Sequence, residues 1–476
     1  MKKLLLLFLI LLVTSSCKDN EPTNEPTAEE SINADTLAIY FINDQHGQLD
    51  NFAKIKHIVD SERANNQHVL LVCAGDMFSG NPIVDQYEQK GLPMIDVMNK
   101  AGFDVSVLGN HEFDYGPENL KNRMNQAEFA WVCANVDMQE SGVPQPPAFV
   151  TMDVGDLKVT FLGLVETFGK PGAVIPATHP WRVEKMKFTR HTEVLDNFRN
   201  LKSEEEADLL IALTHLGTSI DTELAENYPI FDAIIGGHSH QYVDMDVDGI
   251  PIVQASSYLQ WLGRLQFIIS DDKVISESVS FTNLDDYGQV DAALKSTIDS
   301  YNNTPQFDEV VGYSNSYLDR TELGCFYTTA LKEYMDVDAS FQNSGGIRSE
   351  IDQGDITALE IYNMDPFNNG SVVFTLTALE VKQFFMQTGA GLHVSGLEFE
   401  RNGQDLTVYD EAGNAYADDD LVTIGINDYI PAVHDTYFPL EKAEIKNYTT
   451  AEAIIGYLQT INSTVDEEGC NQYFSY

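Results

Sequence analysis

In the stretch Gly109-Asn110-His111-Glu112-Phe113-Asp114, an amide, an imidazole and two carboxylates follow directly on the apolar run 105–108. Side chains of that kind at the end of a buried strand supply hard and borderline metal ligands where an open α/β sheet opens its crevice. A polar turn capping the next helix would use the same residues, and this stretch alone does not choose between the two. Four further apolar runs carry similar cargo. Residues 36–43 lead into Asp44-Gln45-His46-Gly47, 69–74 into Gly75-Asp76, 209–213 into Thr214-His215, and 231–235 into Gly236-Gly237-His238-Ser239-His240. Singly, each histidine reads as a hydrogen-bonded surface residue. Together they supply Asp44, His46, Asp76, Asn110, His215, His238 and His240, a nitrogen and oxygen set without thiolate that suits a pair of divalent transition metals. Such a pair is the arrangement of two-metal hydrolases. The donor set admits Zn, Mn, Co or Fe alike.

The elements that must position these groups alternate between strand and helix from residue 36 onward, the signature of a layered α/β domain. Residues 51–63 place Phe52, Ile55, Ile58 and Val59 at helical spacing, and 94–101 form a short amphipathic helix before the run that ends at Asn110. Residues 130–136 and 157–165 are strand-like and are expected in a second sheet; 252–258 and 262–268 add strands that close the domain. A domain boundary is placed near 275. Residues 285–301 turn helical and polar, with Val290, Ala293, Leu294 and Ile298 on one face, as suits a connector. A second, mixed α/β domain begins at Val310, with a helix over 325–335 and strands over 339–342 and 372–376.

A chain of 476 residues exceeds one compact core, and 43% hydrophobic residues argue against global disorder. With 28 Lys and Arg against 74 Asp and Glu, the net charge of −46 argues against a nucleic-acid partner. It also repels anionic substrates at long range, so local cations are needed to bind one. Residues 1–17 read as an export signal: Met1-Lys2-Lys3, an apolar run over 4–13, then Thr14-Ser15-Ser16-Cys17. This resembles a bacterial lipoprotein signal with Cys17 as the lipidated residue, although Thr14 stands where that pattern prefers Leu. A conventional secretory signal cut nearby is the alternative. Residues 18–35, rich in Pro, Glu, Asn and Thr, read as a flexible tether whose start, Lys18-Asp19-Asn20-Glu21, resembles acidic surface-export signals. Cys73 and Cys133 lie in apolar runs and are expected as buried single thiols, whereas the sequence leaves open whether Cys325 and Cys470 pair.

The ordered set Asp44-x-His46, Gly75-Asp76, Gly109-Asn110-His111-Glu112, Thr214-His215 and Gly237-His238-Ser239-His240 resembles the calcineurin-type metallophosphoesterase domain. Downstream, Asn343-Ser344-Gly345-Gly346-Ile347-Arg348 and Asp365-Pro366-Phe367 are similar to the C-terminal domain of the bacterial 5′-nucleotidase family. The resemblance implies that Asp76 bridges two metals, with Asp44, His46 and His240 completing one site and Asn110, His215 and His238 the other. It implies that His111 stabilises charge on the transferring phosphate, held in its useful tautomer by Asp114, which could otherwise be a helix cap. Gly345 and Gly346 let backbone approach a ligand and Arg348 offers a planar fork; a tight turn with a surface Arg is the plainer reading, and the likeness favours the ligand. By the same likeness Asn343 and Arg348 bind substrate, Phe367 stacks on a nucleobase, and Tyr429 of Asn427-Asp428-Tyr429 is the second stacking ring. The family pattern then has Gly-Gly-Asp-Gly and an aromatic. Here Val433-His434-Asp435-Thr436-Tyr437 keeps the Asp and the ring, and losing three glycines reshapes the loop that carries Asp435. Arg320 resembles an upstream substrate-binding Arg, with a shorter spacing and Glu322 in place of Asn.

The expectation is an exported, lipid-anchored dinuclear phosphohydrolase acting on nucleoside monophosphates or related phosphate esters, with hinge motion about the connector. A phosphodiesterase or nucleotide-sugar pyrophosphatase on the same scaffold, or a surface nucleotide-binding protein without turnover, are the alternatives.

Overall fold

The computed structural model describes residues 35–170, 172–270, 273–461 and 464–476. The expected signal, Cys17 and the tether up to residue 34 lie outside the described residues. Among the described residues no helix is long and apolar enough to cross a membrane.

Asp35–Ile42 sets the layering of the first half. Its alternate side chains point to opposite faces, so Leu37, Ile39 and Phe41 enter one core while Ala38, Tyr40 and Ile42 enter another. It is central in a six-stranded sheet that runs Lys273–Asn283, Trp261–Ser270, Asp35–Ile42, Val69–Cys73, Val105–Val107, Ala130–Val132. A second six-stranded sheet runs Tyr242–Val247, Ile250–Ala255, Ala233–Ile235, Leu209–His215, Leu157–Val165, Phe149–Val154. The inner faces of both sheets share one apolar cluster that includes Phe41, Val72, Val107, Phe161 and Ile211. Helices cover the outer faces: Phe52–Arg63 and Leu92–Ala101 on the first sheet, Thr218–Asn227 on the second.

The expectation that residues 130–136 belong to the second sheet is corrected by this arrangement. Ala130–Val132 pairs in parallel with Val105–Val107 of the first sheet, because the crossover through helix Gly116–Gln126 returns the chain beside the strand it left. The strands expected after the last histidine motif divide as well. Ile250–Ala255 joins the second sheet, whereas Trp261–Ser270 runs antiparallel to Asp35–Ile42 in the first.

The polar helix after the boundary region spans Ala292–Asn302, with Asp291 accepting a hydrogen bond from the Leu294 amide at 2.7 Å. Leu294 and Ile298 are buried against the helices of the first sheet, while Val290 and Ala293 face solvent. Beyond it, a third six-stranded sheet runs Ala443–Thr449, Gly370–Thr377, Leu421–Asn427, Ala339–Gln342, Gly391–Ser395, Tyr473–Ser475. Helix Arg320–Met335 packs beside Thr450–Ile461 on one side, and Ala378–Thr388 packs Phe384 and Phe385 on the other. Cys325 and Cys470 form a disulfide with Cα atoms 6.4 Å apart. Cys73 and Cys133 are free and buried, as their apolar settings predict.

Candidate active site

Five strand ends converge on one place, three from the first sheet and two from the second. Asp44 and His46 follow Asp35–Ile42, Asp76 follows Val69–Cys73, and Asn110 follows Val105–Val107; His215 ends Leu209–His215, and His238 and His240 follow Ala233–Ile235. The backbone turns sharply to aim them. Asp44, His46, Asp76, His238 and His240 all have φ between 48° and 79°, a left-handed conformation that is costly for residues with a Cβ and that persists where surrounding structure over-determines it.

Asp44, His46 and His240 form one group of mutually close donor atoms, and Asp76, His215 and His238 another. Asp76 also belongs to a third group with His46 and His111, which places its carboxylate between the other two. The hydrogen bonds around these groups set which atoms face one another. His46 Nδ1 lies 3.0 Å from the Ser79 carbonyl, which assigns its proton there and leaves Nε2 bare, 2.9 Å from His240 Nε2. His215 Nδ1 donates to the Ala74 carbonyl at 2.7 Å, so its Nε2 faces Asp76 Oδ2 at 3.0 Å. The Asn110 amide nitrogen donates to the Ala177 carbonyl at 3.1 Å, which turns Oδ1 towards His238 Nδ1 at 3.0 Å. Imidazole nitrogens and carboxylate oxygens gathered this closely in a buried site offer ligand atoms to cations, and the donor set fits two divalent ions.

Protonation follows the same logic. Burial pushes His46 down to about 3 and His238 down to about 4, so both imidazoles are neutral and ready to ligate near pH 7. Burial also opposes charge on His215, but the Asp76 carboxylate outweighs it and raises His215 to about 10. That is the pull of an electron-rich pocket, which a cation would satisfy in place of the proton. Asp44 is raised to about 7, chiefly by burial.

Glu112 braces the arrangement. Its carboxylate, 1% exposed, accepts the amides of Asp76 at 3.0 Å, Met77 at 2.7 Å and Gly109, tying two strand ends together. Gly109 is required there, since a Cβ would collide with Asp76 Oδ1 and with the Asp76 amide. In the second sheet, buried Asp221 accepts Thr214 Oγ1 at 2.6 Å and Gln254 Nε2 at 3.2 Å behind the histidines.

His111 stands beside the metal groups with Nε2 4.0 Å from Asp76 Oδ2, and its Nδ1 donates to Asp114 Oδ2 at 2.5 Å. Burial alone would lower its pKa; Asp114 and then Asp76 outweigh that and raise it to about 9. Cations on Asp76 would leave Asp114 as the group that keeps this imidazole protonated.

A cavity of about 290 Å³ opens from here towards the second half of the chain. His111, Asp114, Asn343, Arg348, Phe367 and Tyr429 all line it. Phe367 stacks 6.2 Å from His111 at an interplanar angle of 17°, and the Arg348 guanidinium lies 5.6 Å from the centroid of the same phenyl ring. Asn427 accepts the Ile430 amide at 2.9 Å and donates to Gln342 Oε1 at 2.6 Å, which seats the turn carrying Tyr429.

Two expected substrate residues are not among those lining the cavity. Arg320, at the start of helix Arg320–Met335, is spent on Glu350 at 3.2 Å and on the Arg348 carbonyl at 3.0 Å. Asp435 is exposed, because Tyr429–Val433 forms a helical turn that carries the next residues towards Ala378–Thr388, where Tyr437 bonds Gln387 at 3.0 Å. Conversely, Thr178, His179, Arg182 and Asn369 line the cavity without having been singled out in the sequence. His179, one of six histidines outside the strand-end motifs, precedes Pro180-Trp181, a turn signal that gave no reason to place it here.

Comparison with known proteins agrees with this geometry. A family model described as calcineurin-like phosphoesterase matches residues 37–242, and one described as 5′-nucleotidase, C-terminal domain, matches 302–430. Trifunctional nucleotide phosphoesterase protein YfkN of Bacillus subtilis (strain 168) is 30% identical over 84% of this chain, which spans about a third (32%) of that relative. A 5′-nucleotidase of Vibrio vulnificus (strain CMCP6) is 25% identical over 79% of each chain. The crystal structure of a 5′-nucleotidase precursor from Thermus thermophilus shares the fold with TM-score 0.73 and 22% identity, covering 90% of this chain and 97% of that one.

Proposed function

The chain belongs to the family that joins a calcineurin-like phosphoesterase domain to a 5′-nucleotidase C-terminal domain, and from that premise we propose that it hydrolyses nucleoside 5′-monophosphates to nucleoside and phosphate. The observation that carries this reading is the shared cavity: metal-site residues Asn110 and His238, the pair His111 and Asp114, and the ring and guanidinium of Phe367 and Arg348 all line it. A phosphate over the strand ends and a base between the halves would fill both ends of it.

In this reading Asp44, His46 and His240 would hold one cation and Asn110, His215 and His238 the other, with Asp76 available to both. When bound, two divalent cations neutralise phosphoryl charge and lower the pKa of water. His111, charged and hydrogen-bonded through Nδ1 to Asp114, presents Nε2 to the phosphoryl oxygens and stabilises the charge that grows there. Arg348 offers parallel donors to the same phosphate or to the ribose side, and Asn343 adds an amide. Phe367 and Tyr429 supply stacking faces for the base. Arg320 and Asp435 would reach substrate only in a different arrangement of the chain, such as one after rotation about the connector.

We read residues 36–275 as the metal domain, 276–309 as the connector and 310–476 as the substrate domain. The support is that every proposed metal ligand and the pair His111 and Asp114 fall between 44 and 240, and every other proposed substrate contact at or beyond 320. Export, with Cys17 as a lipid anchor, rests on the sequence of residues 1–17; the mass of the mature N terminus separates it from a plain secretory cut.

The metal groups do not select the leaving group, and one relative is named a trifunctional nucleotide phosphoesterase. A phosphodiesterase or nucleotide-sugar pyrophosphatase is therefore the second reading. Product analysis on AMP, UDP-glucose and 2′,3′-cyclic AMP tests them. The expected result is phosphate from AMP at the highest kcat/KM. Preference for either of the other two substrates favours the second reading, and stoichiometric metal without turnover of any ester favours a binding protein.

A further inference from the structure

Residues 177–182 form a strap that the sequence did not mark, and each end is fastened to a different part of the site. At its start, the Ala177 amide donates to Glu166 Oε1 at 2.6 Å and the Ala177 carbonyl accepts Asn110 Nδ2 at 3.1 Å. At its end, Arg182 Nη2 donates to the Phe367 and Asn368 carbonyls, each at 3.2 Å. Between them His179 Nε2 lies 3.2 Å from Asp428 Oδ1, with its ring edge-on to Tyr429. Thr178 is therefore held by the strap on both sides, and its Oγ1 donates to Asp114 Oδ1 at 2.8 Å in a buried contact.

The position of that bond matters because of what the other carboxylate oxygen does. Asp114 Oδ2 receives the His111 Nδ1 proton. A carboxylate held only at that oxygen can swing about its Cβ–Cγ bond and let the imidazole tilt. A second donor on Oδ1 fixes the carboxylate plane, and with it the direction in which His111 Nε2 points.

We propose that Thr178 is a positioning residue for hydrolysis: its hydroxyl, donated to Asp114 Oδ1, orients the Asp114–His111 pair at the cavity. This rests on the phosphohydrolase reading above. In this role Thr178 acts through Asp114 on His111, by way of the hydrogen bond from its Oγ1 to Asp114 Oδ1.

Thr178→Val keeps the shape and removes the donor, and Thr178→Ser keeps the donor and removes the methyl. The test is steady-state kinetics of the full chain, loaded with metal, on AMP and on p-nitrophenyl phosphate. Loss of one hydrogen bond to a charged group predicts that Thr178→Val lowers kcat about 10- to 100-fold on both esters, with KM and metal content unchanged. Thr178→Ser should recover most of the rate. In a His111→Ala background Thr178→Val should add no further loss, since the group it orients is gone. If the valine variant does not fold, Thr178→Ala set against Thr178→Ser makes the same comparison with smaller side chains. Wild-type kcat in the valine or alanine variant, or the same fold-loss repeated in the His111→Ala background, overturns the proposal while the hydrolase reading stands. A wild-type chain that turns over no ester overturns both.

Discussion

His111 and Phe367 carry the residue-scale consequences, because their rings stack in the same cavity yet are proposed to serve different parts of a nucleotide. His111→Ala should lower kcat by about 10² to 10⁴, the range for a positioned catalytic group, with metal content unchanged by elemental analysis. Metal loss in that variant would instead make His111 a ligand, a role its place in a group with His46 and Asp76 keeps in play. Phe367→Ala should raise KM for AMP more than for a simple aryl phosphate, since only AMP brings a base to stack. Equal increases on the two esters would assign Phe367 to packing against His111 and Arg348 alone. The resemblance and the geometry part ways over Arg320 and Asp435, one engaged with Glu350 and the other exposed on the far side of a helical turn.

Among the elements, the strand ends need bracing as much as they need ligands. Three backbone amides from two neighbouring strand ends converge on one buried carboxylate, that of Glu112. Glu112→Ala leaves those donors unpaired where water does not reach, and should destabilise the chain by about 3 kcal/mol or more. Denaturant unfolding at fixed metal concentration measures it, and a loss below about 1 kcal/mol would show that water or neighbouring groups replace the carboxylate. Glu112 is legible in the sequence only as a neighbour of Asn110 and His111; two of its three partners, Asp76 and Met77, lie more than thirty residues upstream. The same holds for Asp221, whose role behind Thr214 depends on the return of Gln254 from another strand.

For the whole molecule, the metal centre is a seam between two sheets. Asp44, His46, Asp76 and Asn110 come from one and His215, His238 and His240 from the other, so cations bound there tie the layers together. Ions that bind only the folded chain stabilise it by about 4 kcal/mol when present at 1,000 times their Kd. Chelation should therefore abolish phosphate release and lower Tm together, and titrating back Zn, Mn, Co or Fe should restore both while revealing which ion the site prefers. Unchanged Tm and activity after complete chelation would remove the dinuclear centre from the account. The disulfide between Cys325 and Cys470 closes a sequence separation of 145 residues and holds the last strand region to helix Arg320–Met335.

Much of this site is legible in the sequence, for a local reason. A candidate ligand that follows an apolar strand is announced by its neighbours, and five such announcements name Asp44, His46, Asp76, Asn110, His215, His238 and His240, which the fold brings together, without knowledge of the sheets. The spacing of His111 and Asp114, three apart, likewise lies within one turn. Which sheet each strand joins is not legible: Ala130–Val132 and Trp261–Ser270 have the apolar character of either, and pairing depends on crossovers and register. The strap over 177–182 is invisible for the same reason in stronger form. Thr178 and His179 precede a single 3₁₀ turn, Pro180–Arg182, that Arg182 ends, and their meaning comes from Asp114, Asp428 and Phe367, which only the folded chain brings within bonding distance. Local chemistry marked the candidate ligands; long-range contact, through loop closure that no short window of sequence records, decided what holds them in place.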